Sequence, residues 1–313
     1  MEPLYSAGCS YYYSLAGVPE IGTDSVYLTC LTLTKSSNHS GLLTSSILIF
    51  CALLYRYTIT PAFLSKVYGS SYTRLQPSQQ KKFRLHHVGL VLKMISLILI
   101  ILPIFWVFVR GFHWSEPLYN NSRIDLGDLA FMSITTVAAL FIFQMLFEEE
   151  TKLVHIVHHI CGILAIQGIQ VWGVSIPVNR LLSLASFAKV AEMCLLWILF
   201  SGVYSVLTTS NNILRRSLSP GGALLHRLYY FTAYSTSAIT VVEALAVLYP
   251  TLSGSPQSDL SLKVVIFLLQ VLFTGSKALT TRTFLSMGKE QKRQYETHPI
   301  KTLIARDGDG KTK

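Results

Sequence analysis

Apolar runs of about 20 residues, the length a helix needs to cross a hydrocarbon core of roughly 30 Å, recur near residues 41–59, 88–109, 127–147, 153–172, 181–207, 226–249 and 261–281. A soluble core of this size has no use for so many. The 313 residues are 51% hydrophobic and only 13% charged, and the mean hydropathy of +0.45 agrees with a membrane-embedded chain. The expected fold is therefore all-α, a polytopic membrane helix bundle of about seven transmembrane helices. The third and fourth runs are separated only by the acidic turn "EEETK" at 148–152. A helical turn there would reduce the count to six.

The net charge of +10 is distributed loop by loop, and Lys and Arg resist translocation. Lys66, Arg74, Lys81, Lys82 and Arg84 lie between the first two runs, Arg215, Arg216 and Arg227 between the fifth and sixth, and Arg282, Lys289, Lys292 and Arg293 after the last. These segments are expected in the cytosol. The opposite loops are poor in cations and carry sequons for glycosylation at Asn38 and Asn120, which places the N-terminus in the lumen and the C-terminus in the cytosol. One membrane domain, 41–285, is expected between a lumenal arm, 1–40, and a cytosolic tail, 286–313. The basic tail reads as a membrane-apposed segment and not as a nucleic-acid binder.

Ionisable groups at membrane depth cost about 2.5–3.5 kcal/mol on insertion scales, so they normally face the bundle interior or water. In the fourth run, "LVHIVHHICG" gives His155, His158 and His159 the spacing i, i+3, i+4, which puts all three on one helical face. Gly162, Ile166 and Gln170 continue that face and leave room for close approach by a neighbour. Lys189, Glu192 and Glu243 are further intramembrane charges, and His86, His87 and His226 stand where their helices meet the cytosol. Lys93 and Lys277 are expected to snorkel to the interface. Histidine count and placement do not support a di-iron centre, and no metal is expected.

The stretch "DLGDLAFMSITTVAALFIFQMLFEEETKLVHIVHHICGILAIQ" resembles the TLC-domain family, which includes ceramide synthases and many relatives, and a weaker likeness covers about 85–285. In that pattern an acidic start, here Asp128, leads through a short cytosolic turn to a His pair, here His158 and His159. Ceramide synthases carry two aspartates in the following span, where this chain has only Glu192, so the resemblance points to another kind of relative. HxxHH is also the histidine box of the ELO fatty acid elongases, whose other signatures are missing. What the resemblance implies is a protein of lipid metabolism or lipid homeostasis in the endoplasmic reticulum, with membrane lipids as partners and no cofactor. Besides an ELO-type fatty acid elongase, two functions stay open. In one, a His-bearing, cytosol-facing pocket lined by His155, Asp128, Lys189, Glu192 and Glu243 binds or organises lipid. In the other, His158 and His159 act as base and nucleophile of an acyltransferase that uses acyl-CoA as co-substrate.

Overall fold

A computed structural model describes residues 39–112, 114, 116–148, 153–175, 181–218, 223–253 and 260–308, and the side chains of 154, 169–175, 181–189, 192, 250–253, 260–262 and 298–308 fall outside the description. The described chain is helical throughout its long segments. α1 (Ser40–Leu53) runs on as a π-helical turn, Leu54–Thr58. Short helices α2 (Pro61–Tyr68) and α3 (Ser70–Thr73) lead into α4 (Pro77–Ile104), which ends in a second π turn, Phe105–Val109. The long helices α5 (Leu126–Phe147), α6 (Leu153–Ser175), α7 (Leu181–Ser217), α8 (Ala223–Ser253) and α9 (Leu260–Gly308) follow.

Six helical stretches are long and apolar enough to cross a membrane among the described residues: Ser40–Thr58, Pro77–Val109, Leu126–Phe147, Met193–Ser217, Ala223–Tyr249 and Lys263–Thr297. The His-bearing α6, 23 residues long, is outside that set, and part of it lies outside the described side chains. It is nonetheless a separate helix. Glu148 ends α5 in an extended conformation (φ −93°, ψ 107°), so the acidic turn does break the chain between the third and fourth runs.

Local chemistry explains where the helices begin and end. Thr60 accepts a hydrogen bond from the Phe63 N–H at 3.2 Å, and Pro61 occupies the first turn of α2, where its missing N–H costs nothing. Pro103 inside α4 has no N–H to offer the Leu99 carbonyl, and the π turn begins two residues later. Asp125 opens α5 in a capping box: its carboxylate accepts from the Asp128 N–H at 2.7 Å, and the Asp128 carboxylate accepts from the Asp125 N–H. Arg84 of α4 donates to the carbonyls of Tyr55 and Ile59, at 2.6 and 2.8 Å, and lies over the Tyr55 ring. It thereby satisfies carbonyls that the end of the first span leaves without a helical donor.

α4 packs against α5 and α7, α8 fills the space between α7 and α9, and α1 leans on α5. Large apolar side chains such as Ile49, Ile98, Leu245 and Leu268 face outward, as lipid-facing positions do. The interior joins through small polar groups. Ser96 and Ser133 meet Oγ to Oγ at 2.9 Å between α4 and α5, and Thr236 meets Thr281 at 3.2 Å between α8 and α9.

Candidate functional site

α4, α5, α6, α7 and α9 enclose an elongated cavity of about 460 Å³. Its polarity changes along its length. At the end of the bundle that carries the basic loops stand Lys82, Glu148, His155 and Arg215; His86, Gln144, Asn212 and Thr209 come next. The far end is lined by Val137, Ala165, Ile166, Cys194, Trp197 and Ile198. On α4 the lining runs from Lys82 to Ser96, a depth of about 20 Å at roughly 1.5 Å per residue. The mouth is charged, Lys93 and Lys277 line the interior, and the far end is mostly apolar, with Ser96 and Thr136 among its lining residues.

His158 and His159 line the middle of this cavity, with His155 toward the mouth on the exposed first turn of α6. The i, i+3, i+4 face therefore turns into the cavity. His159 is only 9% exposed. Its ring stacks on Phe141 of α5 at 4.7 Å between centroids, while His158 packs edge-on against Phe141 (5.7 Å) and Phe273 of α9 (5.1 Å). Phe141 gets this close because position 162 is glycine, where an added Cβ would meet the Phe141 ring at 2.6 Å. The buried Nδ1 atoms of both histidines have no hydrogen-bond partner. Buried polar atoms are nearly always paired; these two Nδ1 atoms are exceptions, and because they have almost no accessible surface it is the rest of each ring that faces the cavity.

Glu243 does not line the cavity. It is 0% exposed and forms an ion pair with Lys277, which itself lines the cavity and also donates to Ser201 Oγ at 2.8 Å. Neither lysine expected to snorkel does so. Lys277 is 4% exposed and turned inward, and Lys93 reaches across the bundle to donate to Thr209 Oγ1 of α7 at 2.7 Å. In both cases the ammonium meets an inward acceptor on a facing helix. Lys277 sits between Ser276 and Ala278, two residues after Gly275. That small-residue surround was the one sequence signal for an inward charge, since small residues mark helix contacts in membranes.

Asp128 belongs to the capping box of α5, about 24 Å along that helix from Gln144 at the polar part of the cavity. His226 is away from the cavity and stacks near Tyr295. His87 is held structurally: its Nδ1 meets the Phe83 carbonyl at 2.8 Å, which makes Nδ1 the donor, and Nε2 faces the Tyr68 hydroxyl at 2.8 Å. Arg84 is occupied by the α1 carbonyls. Asn120 is exposed in the loop before α5. Asn38, together with the side chains of Lys189, Glu192 and Gln170, lies outside the described residues. Among the described residues no group of three or more His, Cys, Asp or Glu is placed to hold a metal ion.

A bundle of apolar membrane-length helices around a charged-to-apolar cavity defines a multi-pass α-helical membrane protein. No family model matches the chain, and neither a curated protein nor a solved structure matches it.

Proposed function

We propose that this chain is a lipid-handling membrane protein of TLC-like type, which takes single amphiphiles from the cytosolic leaflet into the cavity that His158 and His159 line. One observation carries the reading: the cavity is itself amphiphilic, charged at the mouth, lined by imidazoles and lysines in the middle and mostly apolar at the far end. Ligand cavities of about 300–1,000 Å³ bury most of a small guest, and this one, at about 460 Å³, is at the lower end. The loops at the charged end hold most of the chain's Lys and Arg, which supports a cytosolic mouth, a lumenal N-terminus and a cytosolic C-terminus. The endoplasmic reticulum is the membrane we assign, and lipid metabolism or lipid homeostasis the process.

Ala165 and Ile198 line the apolar floor, so tryptophan there fills the space a chain would occupy. Protein extracted in a mild detergent should retain about one tightly held amphiphile per chain, and Ala165→Trp should reduce that severalfold while keeping the melting profile. Equal retention by wild type and variant would defeat the reading.

Acyl transfer is the second reading, favoured by the imidazole rings of His158 and His159 that line the cavity. One imidazole would remove the proton from an amine or hydroxyl acceptor as that atom attacks an acyl thioester. The new C–N or C–O bond forms, the C–S bond breaks, and the proton passes to the leaving thiolate. Profiling the lipids of cells expressing wild type or the His158→Ala/His159→Ala variant tests it. An acyl-lipid class that rises only with wild type supports catalysis; identical profiles contradict it.

A further inference from the structure

Among the described residues, the charges along the cavity do not balance. Lys82 is bonded to Glu148 at 3.1 Å, and Lys277 is paired with Glu243. Glu148 is the one carboxylate among the described lining residues; it acts on Lys93 from a distance, but its own ion-pair partner is Lys82. The Lys93 ammonium has the Thr209 hydroxyl at 2.7 Å and, among the described residues, no paired acid. Its depth, 11 residues into the cavity from Lys82, is about 16 Å. An ammonium held there against an uncharged partner is a ready counter-charge for an anion that enters the cavity.

His158 and His159 line the same cavity as Lys93. His159 is more than nine-tenths buried, and its Nδ1 has no partner. A neutral imidazole offers one N–H donor, and since Nδ1 of both rings is shut off from solvent, the edge of each ring free to donate into the cavity is Nε2; the Lys93 ammonium lines that same cavity. Its charge complement is a monoanion. A cavity of about 460 Å³ is at the lower end of the range for ligand sites, which favours a single-chain guest.

We infer that the guest is a single-chain amphiphile with a monoanionic head, a long-chain carboxylate, whose head is bound by Lys93 with His158 and His159 and whose tail lies against Trp197 and Ile198. This rests on the lipid-cavity reading above and adds the headgroup class to it.

The test is competitive binding to the detergent-purified full chain with three probes of equal chain length: hexadecanoate at mildly alkaline pH, hexadecanol, and hexadecyl phosphate. Wild type should prefer hexadecanoate over hexadecanol by roughly tenfold or more, as an ion pair in low dielectric outweighs a neutral hydrogen bond. Lys93→Met should reduce that preference to about twofold while hexadecanol binding persists, and Lys93→Arg should keep it. Should Lys93→Met not fold, Thr209→Val tests the same point by removing the hydroxyl that aims the ammonium, and should lower the preference severalfold. Saturable binding with no preference for the carboxylate overturns the headgroup assignment and leaves the lipid cavity standing, as does tighter binding of the dianionic phosphate. Failure of all three probes to saturate overturns the lipid cavity itself.

Discussion

Phe141 of α5 and Gly162 of α6 lie so close that a Cβ at position 162 would stand 2.6 Å from the Phe141 ring. The same ring stacks on His159, so the glycine sets the position of an imidazole three residues before it. Gly162→Ala must displace the Phe141 ring or the helix that carries it. Overpacking of this kind costs about 1–3 kcal/mol, and we expect a lower melting temperature in detergent together with weaker amphiphile binding. Adding Phe141→Leu to Gly162→Ala should restore stability but not binding. A Gly162→Ala protein with unchanged melting and binding would show that Phe141 moves freely.

Glu243 and Lys277 are fully or almost fully buried, and Lys277 is also bonded to Ser201. Removing one partner of a buried pair leaves the other uncompensated, at about 3–5 kcal/mol. Lys277→Met alone should therefore be strongly destabilising. Lys277→Met with Glu243→Leu, which removes both charges from the interior, should recover most of the loss. Unfolding in a denaturing detergent titration gives the comparison; a single variant as stable as wild type would contradict a structural ion pair.

Burial raises the Asp125 carboxyl from 3.8 to about 6, against the lowering effect of its bond from the Asp128 N–H. The sign follows from linkage: a folded-state value above the unfolded one means that the native state favours the neutral form. This contribution to stability is complete below about pH 3.8 and lost as pH rises through about 6. Asp125→Asn keeps an oxygen to accept the Asp128 N–H while removing the charge. Melting of wild type should fall more steeply from pH 4 to 7 than melting of the variant, and parallel curves would sink the assignment.

Much of this architecture is legible in the sequence because membrane insertion is decided by local hydropathy. The acidic residues at 148–150 mark a helix break that Glu148 makes, and the spacing of His155, His158 and His159 gives a face that turns to the cavity. Gly162 as a site of close approach was readable for the same reason: its position on that face is fixed by helical period. The lysines were not. Whether Lys93 snorkels or turns inward depends on Thr209, 116 positions away, and the inward fate of Lys277 depends on Glu243, 34 positions away. Pairing across helices depends on tertiary packing that a one-dimensional pattern does not contain. Arg84 similarly reads as a loop cation until the carbonyls of Tyr55 and Ile59 come to it through the fold.

The central claim is that the cavity between α4, α5, α6, α7 and α9 holds a lipid chain, and photo-crosslinking tests it most directly. A long-chain carboxylate with a diazirine near its tail end, incubated with the full chain in membranes and mapped by peptide sequencing, should mark Ile166, Trp197 and Ile198 on the cavity floor. Excess hexadecanoate should compete the label away. Adducts confined to outward residues such as Leu245, Val265 and Leu268, not reduced by competitor, would contradict it.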